Sequence, residues 1–352
     1  MALRVMFFFD NEWSQEEGLN VDQMIRAVIL AASLLAPTLG MADDSSLIQQ
    51  MIQEATQFKS DSLVILQNGD TVIENYFGGE DAVRSVQSVS KSITAIAIEL
   101  LIDQGRIGSL DVPMSTWIPG WTQDPVKSTI TLRMILSQTS GMAPDTDQIQ
   151  YPGALRAGDL VAYSSNSELD ATPGTQFLYS TMGVSLLQPV VAQAAGTGFT
   201  NYVYWNLFHP LGIEDAYWEK DQAGHEFAAG GLKLSTKDLV QVGKLMLGHG
   251  IVNGQSVLSE RGWSELTQKS QSLHNYGLLW WLEQPGSSPA LSSDPSLLSI
   301  FYAYGYGGQY LVVYPDKGLI GVRTNAANIR VTDPTEFEAE QYYTFLTRMA
   351  AW

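Results

Sequence analysis

Residues 85–107 read SVQSVSKSITAIAIELLIDQGRI, and this stretch decides the fold. Ile93, Ile96, Ala97, Leu100 and Leu101 recur at helical spacing, and Gly105 can end the helix in a left-handed turn. Ser88-Val89-Ser90-Lys91 opens it. Residues three apart share a helix face, so Lys91 can reach the Ser88 hydroxyl. The first turn also offers free N–H groups and a positive end, which stabilise an alkoxide and the oxyanion formed by its attack. Burial lowers a lysine's pKa and turns it into a proton acceptor. Ser-x-x-Lys alone is a weak signal, because an ordinary polar helix start uses the same letters.

Outward from this helix, residues 62–66 and 71–76 flank Asn68-Gly69, which predicts a β-hairpin. Toward the C-terminus, residues 276–282, 298–303, 310–314 and 319–324 read as strands, and 335–352 as a helix. Residues from about 110 to 265 mix short helical stretches with Gly, Pro and Ser turns. Strands from both ends of the chain can share one sheet. The expectation is an α/β fold: an antiparallel sheet flanked by helices, with a helix-rich insertion and a ligand cleft between the layers. The division expected is 43–109 with 270–352 as the α/β domain, and 110–269 as the helix-rich domain.

Residues 1–42 read as an N-terminal extension ending in an export signal. After Met24, Arg26 supplies the positive start, residues 27–35 are apolar but too short to span a bilayer, and Gly40-Met41-Ala42 offers small residues for cleavage after Ala42. A periplasmic or secreted product is expected, without stable membrane insertion of the mature form.

Hydrophobic residues make up 45% of the 352, enough for a real core. The net charge of −18 repels nucleic acid and anionic lipid, so neither is an expected partner. There are no cysteines, which excludes disulfides, thiolate metal sites and a cysteine nucleophile. His209, His225, His249 and His274 show no zinc-helix pairing, and no Gly-x-Ser-x-Gly elbow is present. No metal or cofactor is expected.

Further blocks accompany the 85–107 stretch: ITLRMILSQTSGM (130–142), TPGTQFLYSTMGVSLLQPVV (172–191), LFHPLGIEDAYW (207–218), AAGGLKLSTKDL (228–239), YGLLWW (276–281) and GYGGQYLVVYPDKGLIGV (305–322). In this order they resemble the penicillin-recognising serine hydrolases: class C β-lactamases, D-Ala-D-Ala carboxypeptidases, related esterases and 6-aminohexanoate-dimer hydrolases. The resemblance implies Ser88 as nucleophile, Lys91 as its partner, and Tyr179 as the residue that takes the serine proton and hands it to the leaving group. A neighbouring ammonium should acidify that phenol. The resemblance also places Tyr306-Gly307-Gly308 on a strand beside the nucleophile, where relatives carry Lys-Thr-Gly or His-x-Gly. The N–H of Gln309 is then the second oxyanion donor beside that of Ser88. A plain turn between strands is the competing reading of 305–308.

Two departures bear on substrate. Tyr306 stands where relatives place a lysine for a substrate carboxylate, and Thr181 stands where they place the Asn of Tyr-x-Asn. A hydroxyl cannot reproduce an amide's donor and acceptor. Thr181, Tyr306, Gly307 and Gly308 are therefore the expected substrate contacts, and a small-molecule ester or amide the expected substrate. A β-lactamase, a D-amino-acid peptidase and a non-hydrolytic penicillin or peptidoglycan binder are the alternatives. Trp280, Trp281, Tyr302, Tyr304 and Tyr306 lie near the expected cleft mouth, with Tyr304 or Tyr306 as candidates to line an apolar pocket.

Overall fold

Asn68 and Gly69 both adopt positive φ, 52° and 92°, the geometry that lets a two-residue turn follow the twist of its strands. They join β1 (Ser60–Gln67) to β2 (Asp70–Tyr76), behind a first helix, α1 (45–57). The structure, a computed structural model, describes residues 45–145, 158–270, 275–283, 300–325, 345–346, 348–349 and 352. The expected export signal lies outside the described residues, as does most of the expected 335–352 helix, of which 345–346 and 348–349 are helical. No helix among the described residues is long and apolar enough to cross a membrane.

A short strand β3 (Arg84–Ser85) leads into α2 (Val89–Asp103), and Gly105 follows it at φ 68°. The middle of the chain supplies short helices: α3 (Leu132–Leu136), α4 (Leu160–Asn166), α5 (Thr181–Ser185), α6 (Leu187–Ala195) and α7 (Phe199–Val203). The strands β4 (Tyr217–Trp218) and β5 (Leu232–Leu234) come next, followed by α8 (Thr236–Leu247), the small hairpin β6 (Ile251–Val252) and β7 (Gln255–Ser256), and α9 (Glu260–Thr267). Last come β8 (Trp281–Glu283), β9 (Ile300–Gly305), β10 (Gln309–Tyr314) and β11 (Leu319–Asn325).

Six strands form the main sheet in the order β2-β1-β11-β10-β9-β8, antiparallel throughout. The N-terminal hairpin joins the C-terminal strands through β1 and β11, so the expected α/β fold with an antiparallel sheet is what forms. One face of β9, β10 and β11 presents Phe301, Ala303, Leu311, Val313, Ile320 and Val322 to the same apolar cluster as α2 and α8. Gly243 lets α8 lie close against this face, because a Cβ there would crowd Ile320 and Leu311.

Helix α2 runs through the core. Every residue from Val89 to Leu101 is buried, so the five-residue apolar stripe read from the sequence understates its packing. Its buried hydroxyls are each satisfied from outside the helix or from its own start. Ser92 Oγ donates to Leu279 O (2.6 Å), Thr94 Oγ1 to Ala228 O (2.9 Å) and Ser90 Oγ to Gln87 O (2.6 Å).

One strand is shorter than expected. Within 276–282 only Trp281 onward pairs as a strand. Leu279 turns at φ 59°, donates its N–H to Leu136 O, and takes the Ser92 hydroxyl on its carbonyl. Leu278, Leu279 and Trp280 are apolar because this loop plugs the core, not because it alternates in a sheet.

Candidate active site

The turn before α2 is held from two sides. Val86 N–H donates to Leu232 O (3.0 Å), and the Leu232 N–H donates to Ser90 Oγ (3.1 Å), tying the first turn to β5. Gln87 sits at φ 52°, a conformation that costs a non-glycine residue energy and that concentrates at functional turns. Ser88 follows in helical geometry, partly open to solvent.

Lys91 is 1% exposed. Its Nζ donates to Ser88 Oγ at 3.0 Å and to Ala229 O at 2.9 Å. Burial drives its pKa down to about 8, against the opposing pull of Asp145. A buried amine of that pKa, aimed at a hydroxyl, is a proton acceptor near neutral pH.

Tyr179 meets the same pair. Its hydroxyl is hydrogen-bonded to Ser88, and Lys91 Nζ lies 5.1 Å from its ring centroid. The ring stacks on Trp281 at 5.7 Å. Gln138 fixes the backbone on both sides of it: the Leu178 N–H donates to Gln138 O (2.8 Å) and the Ser180 N–H to Gln138 Oε1 (2.7 Å). The expected acidification of this phenol does not occur. Burial pushes its pKa well above the ordinary range, the Ser88 hydrogen bond only partly offsets that, and Asp145 adds to it. Tyr179 is therefore a neutral hydroxyl that can relay a proton, and Lys91 is the more available base.

The structure corrects the last motif. Tyr306-Gly307-Gly308 is not a strand beside the nucleophile but the turn between β9 and β10, with Gly307 and Gly308 buried at φ 78° and 89°. Gln309 is 0% exposed, and its side chain brackets the Asn325 backbone: Nε2 donates to Asn325 O, and Oε1 accepts the Asn325 N–H. These two bonds lock the buried Gln309 to the end of β11. The residue that approaches the nucleophile turn is Gly305, at the end of β9. A Cβ there would overlap the Val86 carbonyl oxygen and crowd Gln87. Gly305→Ala should push β9 off this turn and lower kcat/KM by about 100-fold, since ångström-scale misplacement of reacting groups costs about that much. Thermal melting checks that the variant is folded, and ester kinetics read the effect. Wild-type kinetics would show that the contact is irrelevant.

Thr181 is also occupied. Its N–H donates to Asp145 Oδ1 (2.8 Å), its hydroxyl to Asp145 Oδ2, and the Asp145 N–H returns to Tyr179 O (2.8 Å). Asp145 carried no motif in the sequence and was missed. Tyr306 is 53% exposed, whereas Trp280 and Tyr302 are core residues at 0% and 2%. Tyr304 packs on Tyr310 (5.1 Å). Lys233 pairs with Glu219 at 2.8 Å. Three of the histidines have other partners: His209 packs on Trp205, His249 stacks on Trp263, and His225 lies between Asp159 and Asp221. His274 lies outside the described residues.

The chain is similar in sequence and fold to several known proteins. The chain is 26% identical over 234 residues to the 6-aminohexanoate-dimer hydrolase of Paenarthrobacter ureafaciens, across 62% of this chain. It spans 58% of the length of the first curated relatives it matches. In fold it is similar to a penicillin binding protein from Bacillus halodurans (TM-score 0.64, 19% identity, 83% of this chain and 99% of that one). It is also similar to EstCE1, described as a hydrolase with promiscuous acyltransferase activity (TM-score 0.66, 18% identity, 88% of this chain and 99% of that one). Residues 48–340, most of the chain, match the family model described as Beta-lactamase, and the chain belongs to the beta-lactamase family.

Proposed function

We propose that this protein is a serine hydrolase that cleaves a carboxylic ester or amide through an acyl-enzyme on Ser88. The observation that carries the reading is the 3.0 Å contact from Lys91 Nζ to Ser88 Oγ, made by an amine whose pKa burial holds near 8. Neutral Lys91 takes the Ser88 proton as Oγ bonds to the substrate carbonyl carbon. The N–H groups of Ser88 and Tyr306 support the oxyanion, the latter because Gly305 brings the end of β9 to the nucleophile turn. The proton passes through the Tyr179 hydroxyl to the leaving oxygen or nitrogen as its bond to carbon breaks. Water then attacks the acyl carbon. Its proton returns to Ser88 through the same groups, and the carboxylic acid departs.

The Tyr306 side chain supports a preference for neutral esters. It follows Gly305, whose backbone meets the nucleophile turn, and offers one O–H from a half-exposed ring, where a cation would give a carboxylate about 1.5–3 kcal/mol through a charge-assisted hydrogen bond. Lys233, a cation that could substitute, is paired with Glu219. The purified protein should hydrolyse p-nitrophenyl butanoate roughly ten- to a hundredfold faster, in kcat/KM, than a chromogenic cephalosporin. Cephalosporin turnover equal to or above ester turnover would reverse the preference. Covalent capture without turnover of either would instead favour a binding protein.

A further inference from the structure

Beside the Ser88–Lys91–Tyr179 group, Thr181 has only two protons to donate, those of its N–H and its hydroxyl, and both go to the Asp145 carboxylate. A carboxylate cannot return a proton, so this point of the cleft presents acceptors only: the Asp145 oxygens and the remaining lone pair of Thr181. Asp145 is exposed, and its own N–H is fixed to Tyr179 O, so the carboxylate is anchored next to the reacting groups yet open to a ligand. It acts electrically on both Lys91 and Tyr179, which places its charge within the site.

The surroundings have the same sign. A cavity of about 610 Å³ is lined by Ala143 and Met182, near neighbours of Asp145 and Thr181 in the chain, though not by Asp145, Thr181 or the reacting groups themselves. Its charged lining residues among the described ones are Asp159, Glu168 and Asp170, with Tyr163 beside them. A group seated here must donate hydrogen bonds, and a positive charge strengthens each of them.

We infer that Asp145 is a specificity-determining residue that selects esters or amides carrying a protonated amine close to the scissile carbonyl. This rests on the serine-hydrolase reading and names the substrate class of that same site. Asp145 accepts from the ammonium, and Thr181 holds the carboxylate in place.

The test uses two p-nitrophenyl esters of nearly one shape: the butanoate, which ends in CH3, and the 3-aminopropanoate, which ends in NH3+. Each kcat/KM at pH 7 is divided by that ester's spontaneous hydrolysis rate, and the ratio of ammonium to neutral ester is taken within one protein, which cancels any general loss of activity. The wild-type ratio should be at least about tenfold, the effect of one charge-assisted hydrogen bond. Asp145→Asn should lower it by about tenfold. Added salt should lower it in the wild type, a measurement that needs no variant. A wild-type ratio at or below unity overturns the proposal. So does a ratio that Asp145→Asn leaves intact, because a carboxylate acting only on the charge of Lys91 changes both esters alike. If neither ester acylates Ser88, the hydrolase reading falls first and this proposal with it.

Discussion

Ser88→Ala should lower ester turnover by roughly 10⁴- to 10⁶-fold, with no acyl-enzyme detectable by intact-mass measurement. The size of the effect follows from the kind of catalysis. In the proposed mechanism Lys91 and Tyr179 both act on the Ser88 oxygen, and the oxyanion that the N–H groups support forms only after that oxygen attacks. The fold should survive, because Ser88 is partly exposed and its side chain caps no backbone group. A fluorophosphonate probe should label the wild type at Ser88 and leave the variant unlabelled. Labelling at another serine, or near-wild-type turnover in the variant, would remove Ser88 from the mechanism.

Lys91→Met should have the second largest effect, a fall of about 10²- to 10⁴-fold in kcat/KM, the usual contribution of a positioned general base. The wild-type pH profile gives an independent check. With neutral Lys91 as the proposed base, kcat/KM should rise with pH and reach half its plateau near pH 8, and the variant should lose this limb. Stability should rise with pH as well. The folded pKa of about 8 lies below the ordinary 10.5, so the unfolded chain binds the extra proton between those values. Stability therefore rises as pH climbs from about 8 to 10.5, and below pH 8 the native state carries the full cost of a buried ammonium. Lys91→Met should raise Tm at pH 7 while it removes activity. A lower Tm at pH 7 would mean that the bonds to Ser88 and Ala229 outweigh the burial.

Much of the site was legible because its chemistry is local or ordered along the chain. Ser88 and Lys91 share one helical turn, and the Asn68-Gly69 hairpin is fixed by backbone preference alone. Tyr179 was found through the order of its blocks, although its place beside Ser88 depends on Gln138, which holds the backbone next to it, and on Trp281, on which its ring stacks. The misplaced part was Tyr306 to Gln309. Glycines in a strand and glycines in a turn look alike as letters. Which one approaches the nucleophile depends on the register of β9 and β10, set by Gln309 opposite Gly305.

Read alone, the sequence carried the helix that begins at Ser88, with Lys91 one turn along it, the hairpin and the strands at both ends, since propensity, periodicity and spacing act over a few residues. Tertiary structure alone decided the rest. The burial of Lys91 on α2 lowers its pKa and the burial of Tyr179 raises that of its phenol, because desolvation depends on everything packed around a group. The packing of β9 against Val86 selects Gly305. The fold of residues 138–145 over 178–181 brings Asp145 to Thr181, joining groups 36 positions apart that no local pattern connects.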